Sequence, residues 1–184
     1  DFRRSRGLGD VYKRQAMPPF LGGGEMIQDV HLDHSTWADL PHKFEAGTPA
    51  IGEAVGMGAA LDYLQAIGLE AIQAWEATLT SHLFACLQAI DGVRVLGPTP
   101  DQQAERGALA TFLVDGVHAN DIAALMDASG ICIRSGHHCC QPLHRHYGVT
   151  ASARASLSFT STVAEIDRFA EELAATVTFL REHS

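Results

Sequence analysis

The chain has 184 residues, 46% hydrophobic and 7% aromatic, enough for one core or for one domain plus part of another. Thirteen basic residues against 22 acidic ones give a formal charge of −9, and no apolar run of about 20 residues could span a bilayer. Four cysteines make no disulfide framework at this length and no signal-peptide pattern opens the chain, so a reducing, cytoplasmic setting is expected.

The opening "DFRRSRGLGDVYKRQ" lacks an initiator Met and apolar periodicity, and carries Arg3, Arg4, Arg6, Lys13 and Arg14. It resembles a translated sequencing-adapter segment, so residues 1–16 are expected to be a non-native tail and are set aside from fold reasoning. The tail holds 5 basic and 2 acidic residues, which leaves 8 against 20 and a body charge of about −12. Such a body repels phosphate backbones and excludes a nucleic-acid partner.

From Met17 to Phe44 the chain is rich in Gly and His. The run Gly22-Gly23-Gly24 suits a tight turn or a close backbone approach. "EMIQDVHL" and "STWADL" read as two arms of a hairpin. In "FEAGTP", Thr48 before Pro49 predicts an N-cap with proline at the first helical position. The helix that follows runs to Gly68 and contains Gly52, Gly56 and Gly58, each costing about 1 kcal/mol in a helix interior. Three such glycines predict close packing against another backbone, a bordering site, or a tolerant buried helix.

A second helix, "LEAIQAWEATLTSHLFACLQAI", places Ile72, Trp75, Leu79, Leu83 and Ile90 at helical spacing, and Gly92 ends it. Cys86 lies near this stripe and reads as inert core. "VRVLG" predicts a strand, "PTPDQQAERG" a polar loop, "ALATFLVDG" a strand, and "NDIAALMDASG" a short helix capped by Asn120 or Asp121. "ICIRSG" and "ARASLSF" alternate as strands do, each placing an arginine, Arg134 or Arg154, on its less apolar face. The last helix opens with the capping box Thr162–Glu165 and buries Ile166, Phe169, Leu173, Val177 and Leu180. The fold class is therefore α/β, with an α+β C-terminal part in which helices cover a small sheet.

"RSGHHCCQPLHRHYG" concentrates His137, His138, Cys139, Cys140, His144 and His146. Zinc motifs space their ligands by two or more residues, and no C-x-x-C occurs, so no metal site is expected. A Cys139–Cys140 disulfide needs a strained ring. Loop residues without a role and a nucleophilic cysteine remain, and the nucleophile leads. Flanking histidines, Arg134 and the start of a helix at "QPLHRHYG" would all favour a thiolate there.

"RSGHHCCQPL" resembles the R-x-G-H-H-C-x-x-P-L signature of Suf-type (group II) cysteine desulfurases, of the class V aminotransferase family. "KFEAGTP" is similar to that family's phosphate-contacting segment, "MPPFLGGGEMI" to the segment after the cofactor lysine, and "ARASLSF" to the block after the cysteine. The resemblance runs from about Met17 to the C-terminus. It implies the C-terminal part of a fold-type-I pyridoxal 5'-phosphate (PLP) transferase, with residues 17–62 ending the large domain and 63–184 forming the small one. It further implies conversion of L-cysteine to L-alanine, with sulfur passed to Cys139 as a persulfide for iron–sulfur cluster assembly. Arg154 would clamp the substrate carboxylate and Arg134 would be a second active-site arginine. Gly47 and Thr48 would reach the PLP phosphate of the partner subunit, which implies a homodimer with the Gly22–Glu25 region at its interface. A SufE-like or SufU-like acceptor, or the cluster scaffold directly, would take the sulfur.

Two departures qualify the resemblance. The only lysine outside the tail is Lys43, in the phosphate segment and not at the Schiff-base position, so the family's lysine, ring-stacking histidine and pyridinium-binding aspartate are expected upstream and the fragment is expected to be inactive alone. "FTSTVAEID" departs from the family's aromatic-Asn before the Thr. Competing readings are selenocysteine lyase, cysteine-sulfinate desulfinase, and a non-catalytic thiol- or metal-binding module.

Overall fold

The computed structural model describes residues 11–102 and 106–183. The expected tail therefore lies outside the described residues except for its end, and the expected polar loop "PTPDQQAERG" is described apart from residues 103–105. The chain divides into two compact units, Asp1–Ala66 and Ile67–Ser184.

In the first unit, a short helix α1 (Val11–Ala16) precedes strands β1 (Ile27–Val30) and β2 (Ser35–Trp37). The strands pair antiparallel as the alternation predicted, with an irregularity between Ile27 and Asp29. The glycine run turns against the next segment. A Cβ at Gly23 would lie 3.1 Å from the Gly47 nitrogen, and Gly47 itself has φ +82° and donates its N–H to the Gly24 carbonyl at 2.9 Å. That left-handed turn is one glycine adopts without penalty. Helix α2 (Ile51–Ile67) begins three residues after Thr48, with no buried residue along its length. A Cβ at Gly52, Gly56 or Gly58 would meet nothing within 4 Å among the described residues, so the close packing those glycines predict is not supplied here.

The second unit is a two-layer α+β fold. Strands β3 (Val93–Leu96), β4 (Leu109–Val114), β5 (Arg134–Gly136) and β6 (Ser152–Ser156) form one antiparallel sheet in the order β3-β4-β6-β5. Helices α3 (Leu69–Gln88), α4 (Ala119–Ala128) and α6 (Val163–Glu182) supply the rest of its core, and the short α5 (Gln141–His146) follows β5. β4 alternates strictly, sending Ala110, Phe112 and Val114 inward. They meet Leu79, Leu83 and Leu87 of α3, Ile122 and Met126 of α4, Ala153 and Ala155 of β6, and Ile166, Phe169, Leu173 and Val177 of α6. Phe112 and Phe169 pack edge to face with centroids 6.2 Å apart, a favourable arrangement of ring quadrupoles.

The last helix starts as its sequence predicts. The Thr162 hydroxyl accepts from the Glu165 N–H and the Glu165 carboxylate accepts from the Thr162 N–H. Four of its five expected core residues are buried and Leu180 is partly so. Three expectations need correction. His118, not Asn120 or Asp121, caps α4, because its Nδ1 accepts from the Asn120 N–H. Trp75 is 40% exposed, with its indole N–H donating to the Ser161 carbonyl, because α3 buries its apolar stripe only from Leu79 onward. β5 is confined to Arg134–Gly136, while Ile131 and Ile133 pack against the core without strand pairing.

Among the described residues, no helix is long and apolar enough to cross a membrane. Phe112 is fully buried at the centre of the sheet. Phe112→Ala is expected to destabilise the chain by about 3–5 kcal/mol, read as a lower midpoint in urea unfolding.

Candidate functional site

The alternation that sends Ala153 and Ala155 into the core leaves Arg154 on the opposite face of β6. Arg154 stands directly across from Thr111 of β4 on one side and Arg134 of β5 on the other. Two guanidiniums in register on neighbouring strands repel one another. Among the described residues, neither forms an ion pair with a carboxylate. The Arg154 Nε is buried without a hydrogen-bond partner. An anion between the two side chains would remove both the repulsion and the unmet donor.

The loop after β5 is bent rather than extended. Gly136 has φ +110°, and beyond His137 the consecutive residues His138 and Cys139 have φ of 51° and 59°. Consecutive left-handed residues other than glycine cost roughly 1–3 kcal/mol each and persist where surrounding contacts hold them. Those contacts come from Cys140, whose N–H donates to the His137 carbonyl at 2.9 Å and whose thiol donates to the same oxygen at 3.0 Å. Cys140 is the N-cap residue of α5, with Pro142 in the first turn. It closes the turn, and Cys139 is pushed out into solvent.

The exposed Cys139 sulfur lies 3.5 Å from the Nη2 of Arg134. A guanidinium there offers the sulfur a hydrogen-bond donor. The flanking histidines were expected to share this task and do not. His138 points inward, with neither ring nitrogen finding a partner of good geometry. His137 is exposed and packs edge-on against His144.

His144 is the residue the sequence reading missed. It is 4% exposed, its Nε2 lies 2.9 Å from the Ser152 hydroxyl, and its Nδ1 lies 3.2 Å from the Cys140 carbonyl. This pair ties α5 to β6 and so fixes the cysteine loop relative to the arginines. The signal available in sequence was the four-residue spacing from Cys140 to His144, but Ser152 has no such mark. Between α5 and the sheet lies a cavity of about 220 Å³, lined by Arg154, His138, Cys140, His144, Thr111 and Tyr147 among others.

Burial holds His138 below the ordinary histidine range, and the Arg154 guanidinium pushes the same way, with His144 and Arg134 adding to it against an opposing backbone contribution at Ser152. Burial, followed by the Asp167 carboxylate, pushes the Cys86 thiol up, unlike a reactive cysteine.

Gly47 and Thr48 belong to the first unit. Thr48 is exposed just before α2, and the Gly47 turn is open, with nothing within 4 Å of an added Cβ. A hydroxyl and an uncrowded backbone before a helix suit a phosphate. Lys43 does not suit a Schiff base there. Its Nζ donates to the Gln15 carbonyl at 2.9 Å and lies 5.9 Å from the Phe44 ring centroid.

An antiparallel sheet backed by helices, with a strained cysteine loop and two arginines on its free face, defines a protein class. The aminotransferase class-V profile matches residues 5–169, and the chain belongs to that family. Within it, a probable cysteine desulfurase from Synechocystis sp. is 52% identical over 180 residues, covering 96% of this chain and 43% of that protein. The cysteine desulfurase of Haloferax volcanii is 43% identical, covering 92% of this chain and 40% of its own. Among solved structures, the Escherichia coli cysteine desulfurase CsdA, in its S-sulfonic acid form, aligns with a TM-score of 0.74 at 31% identity, over 93% of this chain and 41% of that one. The apo desulfurase from Thermococcus onnurineus aligns at 0.73 and 34%, over 87% of this chain and 39% of its own. The chain thus spans less than half the length of the relatives it matches.

Two predictions follow from this geometry. Ser152→Ala leaves the buried His144 Nε2 without its partner and should cost about 1–3 kcal/mol in urea unfolding. His138, disfavoured as a cation in the folded chain, contributes stability that is full above the ordinary histidine pKa of about 6.5 and is lost as pH falls through its lowered folded value. Unfolding free energies at pH ~7.5 and ~5.5 should therefore differ less in His138→Asn than in the parent chain.

Proposed function

We propose that the chain is the C-terminal part of a group II cysteine desulfurase, which converts L-cysteine to L-alanine and carries the released sulfur on Cys139. The observation that carries this reading is the pairing of an exposed cysteine on a strained loop with two in-register arginines that have no carboxylate partner among the described residues. Arg154, with a buried and unmet Nε, and Arg134 beside it would clamp the substrate carboxylate. The Cys139 thiolate would form a bond to the substrate sulfur while the carbon–sulfur bond breaks. That bond's electron pair stays with the carbon, which takes up a proton and departs as alanine, and the sulfur remains on Cys139 as a persulfide. The outward turn at Cys139 leaves that persulfide open to an acceptor protein, with a SufE-like or SufU-like protein or an iron–sulfur scaffold as the expected class.

Pyridoxal 5'-phosphate, when bound, supplies the electron sink that makes the substrate's carbon–sulfur bond cleavable. Gly47 and Thr48, with their open turn and exposed hydroxyl, would hold its phosphate in a homodimer that set them at the partner subunit's site. Lys43 is engaged elsewhere and is not assigned to the cofactor.

The test is Cys139→Ala in the holoenzyme. Sulfide release from cysteine should fall by more than about 100-fold, while selenocysteine cleavage is retained, because selenide leaves without a sulfur acceptor. Retention of activity with cysteine would sink the nucleophile role. Loss with both substrates would assign Cys139 to structure instead.

A further inference from the structure

Away from the cysteine loop, α3 and α6 pack together and bring three metal-binding side chains to one place. His82 and Cys86 are four residues apart on α3 and so share a face. Asp167 approaches from α6, 85 residues from His82 in sequence. His82 Nε2 lies 2.6 Å from Asp167 Oδ1 and 3.7 Å from Cys86 Sγ, and one donor atom from each residue lies within 4.8 Å of the others. A helix-clamping His–Asp hydrogen bond accounts for the carboxylate. It leaves the thiol on the same nitrogen unused.

Tetrahedral zinc, with bonds of about 2.0–2.3 Å, sets its nitrogen and sulfur ligands about 3.5 Å apart and its nitrogen and oxygen ligands about 3.4 Å apart. The nitrogen–sulfur separation is already in place. The nitrogen–oxygen separation needs to open by less than about 1 Å when an ion replaces the Nε2 proton, and the Asp167 side chain is 53% exposed and free to give way. The His82 side chain is 35% exposed, so water reaches the fourth position. One imidazole, one thiolate and one carboxylate make a borderline donor set that prefers zinc or cobalt to magnesium or calcium.

We propose that His82, Cys86 and Asp167 form a zinc-class site that staples α3 to α6. This departs from the expectation of no metal, drawn from ligand spacing in the His-His-Cys-Cys segment, and from that of Cys86 as inert core, drawn from its place near the apolar stripe of one helix. The site stands apart from the cysteine loop and does not depend on the desulfurase reading.

The test uses the 184-residue chain and Co(II) as a spectroscopic stand-in for zinc. One equivalent should bind, with a near-ultraviolet thiolate-to-metal band and the intense visible bands of a tetrahedral ion. The signal should survive in the Cys139→Ala/Cys140→Ala double variant and vanish in Cys86→Ser. Asp167→Asn should weaken binding by about 100-fold, the upper end of what loss of even an outer partner does. No stoichiometric binding, or a charge-transfer band that survives in Cys86→Ser, overturns the proposal. A second measurement needs no variant. Zinc should slow alkylation of Cys86 while leaving the exposed Cys132 unchanged, as read by peptide mass mapping. Equal Cys86 rates with and without zinc overturn the proposal as well.

Discussion

Strand alternation along β6 is the constraint on which the rest of the second unit depends. Ala153 and Ala155 must face the helices because Phe112 and Ala110 across the ladder do. The residue between them then has no choice of face, and it is an arginine. Register with β5 places a second arginine opposite it. A one-residue slip would bury both cations in an apolar core, at a cost far above anything the sheet could recover. The hydrophobic core therefore selects the register and, in the same step, creates a patch of positive potential on the free face.

The second consequence is the cysteine loop. With β5 only three residues long, the chain turns at once through Gly136 and two left-handed residues before entering α5. That strain is offset by Cys140, which caps the turn, and by the buried His144–Ser152 pair, which anchors α5 to the sheet. Cys140 and His144 thus have structural tasks, and Cys139 is left outward beside Arg134. The loop combines a held backbone with an open cysteine side chain.

Much of this was legible in the residues. The hairpin, α2, α3, the four strands and the capping box of α6 follow from periodicity and turn chemistry, which are local properties. The placement of arginines on the polar faces of two strands was also legible, because alternation is fixed by the pleat. Their mutual register was not, since it is set by the pairing of β5 with β6, two strands joined through α5 and not by a tight turn. The inward turn of His138 was hidden for a similar reason. Nothing in "GHHCC" states which side chain the loop conformation buries, and the left-handed φ at His138 and Cys139 decides it.

The sequence by itself determined which reactive residue types stand in which local setting. A cysteine between a strand and a proline-started helix, two strand arginines and a Gly-Thr-Pro turn are residue types at short spacings, and local physics reads them. Only the tertiary structure decided which of them meet. Arg134, not a histidine, reaches the Cys139 sulfur. His144 finds Ser152 across the sheet end. Asp167 arrives at His82 and Cys86 from another helix. The first two join residues 5 and 8 positions apart through the bend of the loop and α5, and the third spans 85 residues between helices. All three are fixed by how the elements pack, which no stretch of sequence states on its own.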